Sequence, residues 1–107
     1  MGKIEKVEAL AQKGKADKLI KFTRDTDKQV VLAAVRALGD LAGNEDALNA
    51  LVGMMEHEDA GVRKEVVTAI GKSNGSYVKT QLMYCVGHEK DAQVLQAAKE
   101  ALANRKE

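Results

Sequence analysis

An all-α stack of short helical hairpins follows from three features of the 107-residue sequence. One phrase is written three times at a spacing of 32 residues. Asp27-Lys28-Gln29-Val30 leads to Ala37-Leu38-Gly39, Asp59-Ala60-Gly61-Val62 to Ala69-Ile70-Gly71, and Asp91-Ala92-Gln93-Val94 to Ala101-Leu102-Ala103. A fixed period in this range marks a stacked repeat, whose units are each too small to bury their own apolar face. There is no proline, and the segments between glycines are rich in Ala, Leu, Lys and Glu, which favours helix. No run alternates apolar and polar residues for the length of a strand.

Each element has its own signal. Ile4, Val7, Leu10 and Ala11 share one helical face, and Gly14 is the expected stop. A second helix carries Leu19, Ile20 and Phe22, and Asp25-Thr26-Asp27 breaks it. Asp27 is placed to cap a third helix, with Val30, Ala34, Ala37, Leu38 and Leu41 inward. Asp46 is expected to start a fourth helix, with Ala47, Leu48, Leu51, Val52 and Met55 on its apolar side. Asp59 caps a fifth, with Val62, Val66, Ala69 and Ile70 inward, and Lys72-Ser73-Asn74-Gly75-Ser76 is a turn cluster. A sixth helix carries Val78, Leu82, Met83 and Val86, and Asp91 caps a seventh with Val94, Ala98, Ala101 and Leu102 inward.

The 32-residue period extends into the connecting helices. It places Leu19, Leu51 and Met83 in one phase, Ile20, Val52 and Tyr84 in the next, and Phe22, Met54 and Val86 in a third. Each unit is thus an A helix, a turn containing Asp, and a B helix. Gly39 and Gly71 recur at one phase of the B helices, although a glycine within a helix costs about 1 kcal/mol relative to alanine. The recurrence predicts a neighbouring helix crossing too closely for a β-carbon.

Composition excludes several classes. Apolar residues make up 45% of the chain, enough for a globular fold, while aromatics are 3%, so small aliphatics must fill the core. The single cysteine, Cys85, excludes an internal disulfide and a cysteine-based zinc site, and fits a reducing, cytoplasmic setting. No stretch has the apolar length of a signal peptide or membrane span. The formal charge of +1 conceals banding: residues 1–36 net +4, 37–62 net −6, and 63–107 net +3. Along a linear stack these become solvated bands, or patches that orient a partner.

The B-helix phrase resembles the HEAT repeat, and within it the short HEAT-like variety of the phycobilin lyases, whose B helix runs roughly D-x-x-V-R-x-x-A-x-x-A-L-G. DAGVRKEVVTAIG (Asp59 to Gly71) matches most closely, and DKQVVLAAVRALG and DAQVLQAAKEALA carry Val31 and Leu95 where it has Arg63. The resemblance covers about residues 16–105. It implies a short right-handed α-solenoid of about three and a half HEAT-like hairpins, seven helices in all, with B helices lining a concave face. It also implies that Arg63 bridges to a turn aspartate, Asp27 or Asp59, and that Val31 and Leu95 are left exposed. The expected organisation is a single domain over 1–107, with a capping helix at about 3–13 and repeats at about 15–43, 45–75 and 76–105. Lys99 and Arg105 stand where inner repeats place valine or leucine, so the last helix is expected to cap a complete stack.

Functional signals are sparse. Deoxyhypusine hydroxylases, which share HEAT-like repeats, hold iron with His-Glu pairs early in the B helix. His57-Glu58 and His88-Glu89 fall instead at A-helix ends, 31 rather than 32 residues apart, and two histidines are too few for a di-iron site. Cys85 reads as a buried, inert thiol, and Met54, Met55 and Met83 as core filling. No phosphate-binding loop, nucleophile elbow or apolar carboxylate pair occurs, so no catalytic, cofactor-binding or metal-binding residue is assigned. The expected function is that of a non-enzymatic protein–protein interaction scaffold or adaptor, monomeric and cytoplasmic, presenting its concave B-helix surface to a protein or peptide. The expected contact residues are Gln29, Arg36, Asp40, Lys64, Glu65, Thr68, Lys72, Gln96 and Glu100. Their mixed signs favour a protein partner with matched charges over a polyanion. The alternatives are a phycobilin-lyase-like chromophore-handling subunit, or weak nucleic-acid binding through the basic N-terminal helices.

Overall fold

Seven α-helices and one short 3-10 turn make up the computed structural model, which describes residues 2–106. They are α1 (Lys3–Gln12), α2 (Ala16–Phe22), α3 (Lys28–Asp40), α4 (Glu45–Gly53), α5 (Ala60–Ile70), α6 (Ser76–His88) and α7 (Ala92–Ala103), with the 3-10 turn at Met54–Glu56. The described residues form no strand. Helices α2/α3, α4/α5 and α6/α7 are the A/B hairpins. The B helices α3, α5 and α7 pack side by side, and α1 packs on α3 as the first member of that row. The stack measures 40 × 25 × 18 Å.

The caps follow their chemistry. Asp27 accepts from the Gln29 N–H (2.9 Å), Asp59 from that of Val62 (3.2 Å), and Asp91 from those of Gln93 and Val94 (2.9 and 3.1 Å). Helix α4 departs from expectation: its cap is Asn44, which accepts from the Ala47 N–H at 3.1 Å, and Glu45 and Asp46 occupy the first turn. Carboxylates there oppose the helix dipole, which suits them to the first turn as well as to the cap. Just past the end of α1 the chain turns away at Gly14, whose φ of +66° an L side chain rarely adopts. The Gly14 and Lys15 N–H groups close the end onto the Ala11 and Leu10 carbonyls (3.1 and 3.0 Å).

All buried described residues are apolar, and one cluster runs the length of the stack. Val30, Val62 and Val94, one per B helix, are 2%, 1% and 1% exposed. The crowding predicted at the glycines is present. A β-carbon on Gly39 would lie 2.9 Å from the Ala69 Cβ and 3.1 Å from its Cα, and one on Gly71 would lie 3.1 Å from the Ala101 Cβ. Gly53, in α-helical backbone at the end of α4, has nothing within 4 Å of the same position. Gly39→Ala should therefore destabilise by about 1–2 kcal/mol, since overpacking at backbone exceeds the helix-propensity gain. Gly53→Ala should be neutral or stabilise by up to about 1 kcal/mol. Urea denaturation of the two variants checks both signs; equal effects would remove the close crossing as the reason for Gly39.

The third A helix departs from the 32-residue register. Leu19 and Leu51 are fully buried, but in α6 the buried residues are Val78, Leu82 and Cys85, and Leu82 takes the leucine's place in the core. Met83 is 57% exposed and Tyr84 is 54% exposed. The cause lies in the helix ends. Leu51 is eight residues before its turn aspartate and Leu82 is nine before Asp91. The second A helix tightens into 3-10 over Met54–Glu56, whereas α6 stays α-helical to His88. Three 3-10 residues rise about 6 Å, as four α-helical residues do, so the inward position of α6 moves back by one.

Candidate functional site

Two seams run between the B helices, and they differ in what closes them. The α3–α5 seam is spanned by three ion pairs: Arg36 with Glu65 (3.0 Å), Lys72 with Asp40 (2.9 Å), and Lys28 with Asp59 (3.1 Å). The Lys28 ammonium, by its hydrogen bond, holds the Asp59 carboxyl below the usual aspartate value. The pairs are solvent-facing, and screening by water leaves each with little net effect on stability. Their geometric effect is larger, because side chains that would reach toward a partner reach toward each other.

The α5–α7 seam keeps the small pair of the first, Gly71 and Ala101 standing one period after Gly39 and Ala69, but carries Thr68 and Ala97 where the first carries the paired Arg36 and Glu65. Gly71, Ala97 and Ala101 form its floor, and an open groove of about 970 Å³ runs above them. Lys64, Thr68 and Lys72 on α5 and its end form one wall, and Gln93, Gln96, Glu100 and Asn104 of α7 and its end form the other. The Gln96 side-chain amide donates to Glu100 at 3.1 Å, and the Thr68 hydroxyl donates to the Lys64 carbonyl at 3.0 Å. Arg105 and Lys106 border the end of the groove, where the Arg105 guanidinium donates to the Ser73 and Gly75 carbonyls (2.9 and 3.2 Å).

The nine residues expected at the contact surface therefore separate. Lys64, Thr68, Lys72, Gln96 and Glu100 come together at the groove. Arg36, Asp40 and Glu65 belong to the ion-paired seam, and Gln29 is exposed at the start of α3, away from the groove. The groove residues not foreseen are chiefly Gln93, Asn104 and the alanines of its floor. The run of alanines in α7 at the phase facing Gly71 was the available signal.

The hairpin turns hold a second recurring arrangement. Asp25, His57 and Glu89, spaced by 32 residues, each accept the N–H of the capping aspartate two residues on, at 2.9, 3.0 and 3.0 Å. Arg63 does not reach Asp27 or Asp59 as the family resemblance implied. Its guanidinium pairs in bidentate fashion with Glu89 (3.0 and 3.1 Å), while its third nitrogen donates to the His57 and Glu58 carbonyls (2.7 and 3.1 Å). Asp59 is already committed to Val62 and Lys28, and Glu89 offers a planar carboxylate matched to the guanidinium fork. The pair is half-buried, and the Arg63 hydrogen bonds hold the Glu89 carboxyl below the usual glutamate value. At the first turn Lys3 of α1 reaches Asp25 at 2.9 Å, so α1 supplies a cation as a B helix does. The Asp25 carboxyl is held low first by the Asp27 N–H and next by Lys3.

Val31, one period before Arg63, is buried rather than exposed, and Leu95 is half-buried. An aliphatic side chain cannot bond across to the next turn and packs down onto the core instead.

The tempting single residues have structural roles. His57 accepts at Nδ1 in its turn, whereas the His88 ring stacks on Tyr84 with centroids 3.9 Å apart, so the two histidines do different work. No group of three or more metal-ligating side chains converges among the described residues. Cys85 is buried, which pushes its thiol above the ordinary value. It borders a smaller cleft of about 390 Å³ between α4 and α6, shared with Val52, Met55, Tyr84 and His88. Met54 and Met55 are half-buried, and Met83 is the methionine of the three that faces solvent.

Helical hairpins stacked with their B helices in a row, and an open groove between two of those helices, define an α-solenoid of helical repeats. The family model for HEAT repeats matches residues 16–103, and the chain belongs to that family. No curated protein matches the chain. No helix among the described residues is long and apolar enough to cross a membrane.

Proposed function

We propose that this chain is a non-enzymatic, cytoplasmic interaction module that holds a segment of another protein in the groove between α5 and α7. HEAT repeats generally serve as protein-interaction scaffolds, which supports the broad class. The observation that carries the reading is the contrast between the two seams. Ion pairs close the first onto itself, and the second leaves polar walls above a floor of small residues. Such a groove admits a polypeptide backbone close to the helices and offers it donors and acceptors along one wall.

Blocking the groove is the test. Thr68→Trp and Gln96→Trp alter exposed wall positions and should reduce specific capture of the natural partner at least tenfold, with helicity unchanged. Gln29→Trp, on α3 outside the groove, should capture as the parent chain does. If both groove variants capture normally, the binding surface lies elsewhere, and loss of capture by the Gln29 variant would place it on α3.

A further inference from the structure

We infer that the groove selects an extended acidic segment with one apolar residue between two carboxylates. This rests on the groove reading above and names the chemistry of its occupant.

Charge is the first argument. Four cationic side chains, Lys64, Lys72, Arg105 and Lys106, border the groove against one carboxylate, Glu100, among the described residues. The acidic band at 37–62 feeds the other seam, through Asp40 and Asp59. Lys72 is paired with Asp40, but both side chains are well exposed (48% and 71%), so an incoming carboxylate competes for that ammonium at little cost.

Spacing is the second argument. Lys64 lies on α5 and Lys72 in the turn just past its end, eight residues on, which at about 1.5 Å per residue separates their backbones by about 12 Å along the groove. An extended chain rises about 3.3 Å per residue, so carboxylates four positions apart span about 13 Å and point to the same side. The residue midway between them shares that side and faces the floor at Ala97, with Gly71 and Ala101 toward the Lys72 end. Glu100 stands on the α7 wall, where it disfavours acids beyond the two that the lysines hold. The groove thus reads acid, spacer, small aliphatic, spacer, acid, with the amides of Gln93 and Gln96 left to bond the peptide backbone.

The test is a heteronuclear NMR titration of the full chain with three short peptides of one length. One carries Glu-Ser-Leu-Ser-Glu at its centre, the second replaces both glutamates by glutamine, and the third by lysine. A single-stranded oligonucleotide of similar length is the fourth probe. The expected result is that the glutamate peptide shifts the amides of Thr68, Gln93 and Gln96. Its binding should be at least tenfold tighter than the glutamine peptide's, and weaker at high salt. Lys64→Glu and Lys72→Glu, both at exposed positions, should each weaken it several-fold with the fold intact by circular dichroism. If the lysine or glutamine peptide shifts the same amides equally well, the acidic preference is wrong while the groove remains a peptide site. Preference for the oligonucleotide, or no shift at the groove with any peptide, also overturns the inference. Failure of the underlying reading shows separately, as undiminished partner capture by the Thr68 and Gln96 variants.

Discussion

Leu82→Ala is expected to destabilise the fold by about 2–5 kcal/mol, and Met83→Ala by no more than about 0.5 kcal/mol. The 32-residue period alone predicts the reverse, because it aligns Met83 with the buried Leu19 and Leu51. Leu82 is fully buried between α6 and the core, so truncation removes buried methyl groups and leaves a cavity that rigid neighbours fill poorly. Met83 stands more than half exposed and loses little on truncation. A chain of this size has about 5–15 kcal/mol of total stability, so the first variant should lower the melting temperature by at least about 8 °C. Thermal unfolding of the two variants side by side reads the register of α6 directly.

Arg63→Met should cost about 2–3 kcal/mol near neutral pH, and the cost should shrink in acid. The substitution keeps most of the aliphatic stem but removes the bidentate pair and both carbonyl bonds. It leaves Glu89, whose side chain is 9% exposed, without its cation. The pH dependence follows from linkage. The folded-state pKa of Glu89 is depressed, so the stabilisation is complete above the ordinary glutamate value of about 4.5 and is lost as pH falls through the depressed value. The gap between parent and variant should therefore be widest at pH 6–7 and narrow progressively below about pH 4.5. Denaturant unfolding of both proteins across that range checks it. A gap that stays constant would mean that Arg63 acts through packing, with no contribution from the ion pair.

The B helices were legible in sequence because each carries its signals locally. An aspartate cap, a valine three residues on and an Ala-Leu-Gly-type ending specify start, inward face and close crossing without reference to the rest of the chain. The caps of α3, α5 and α7, the burial of Val30, Val62 and Val94, and the crowding at Gly39 and Gly71 all followed. The register of α6 was not legible from the period because it depends on whether a helix end tightens into 3-10. That choice, made over Met54–Glu56 and not in α6, adjusts length without marking the sequence strongly.

Arg63 failed for a different reason. The aspartates in its own repeat family were the natural partners to name, but the guanidinium crosses to the following hairpin, 26 residues on. The clue was present as the spacing of Asp25, His57 and Glu89, three acceptors in the same place in successive turns. The groove proposed as the contact surface was half legible. Periodicity identifies which B-helix residues point outward, and it did place Lys64, Thr68, Lys72, Gln96 and Glu100 on one groove. It cannot tell which outward residues meet across a seam. Arg36 and Glu65, or Asp40 and Lys72, pair only because α3 and α5 lie side by side at a particular offset.

Methyl-resolved NMR in the presence of a soluble paramagnetic probe examines the stacking in a single experiment. The methyl groups of Val30, Val62, Val94 and Leu82 should be protected from relaxation enhancement, while the Met83 methyl should be strongly broadened. Broadening of the three valines together would mean that the hairpins do not bury one another's apolar faces, and the solenoid, its groove and everything inferred from them would be contradicted.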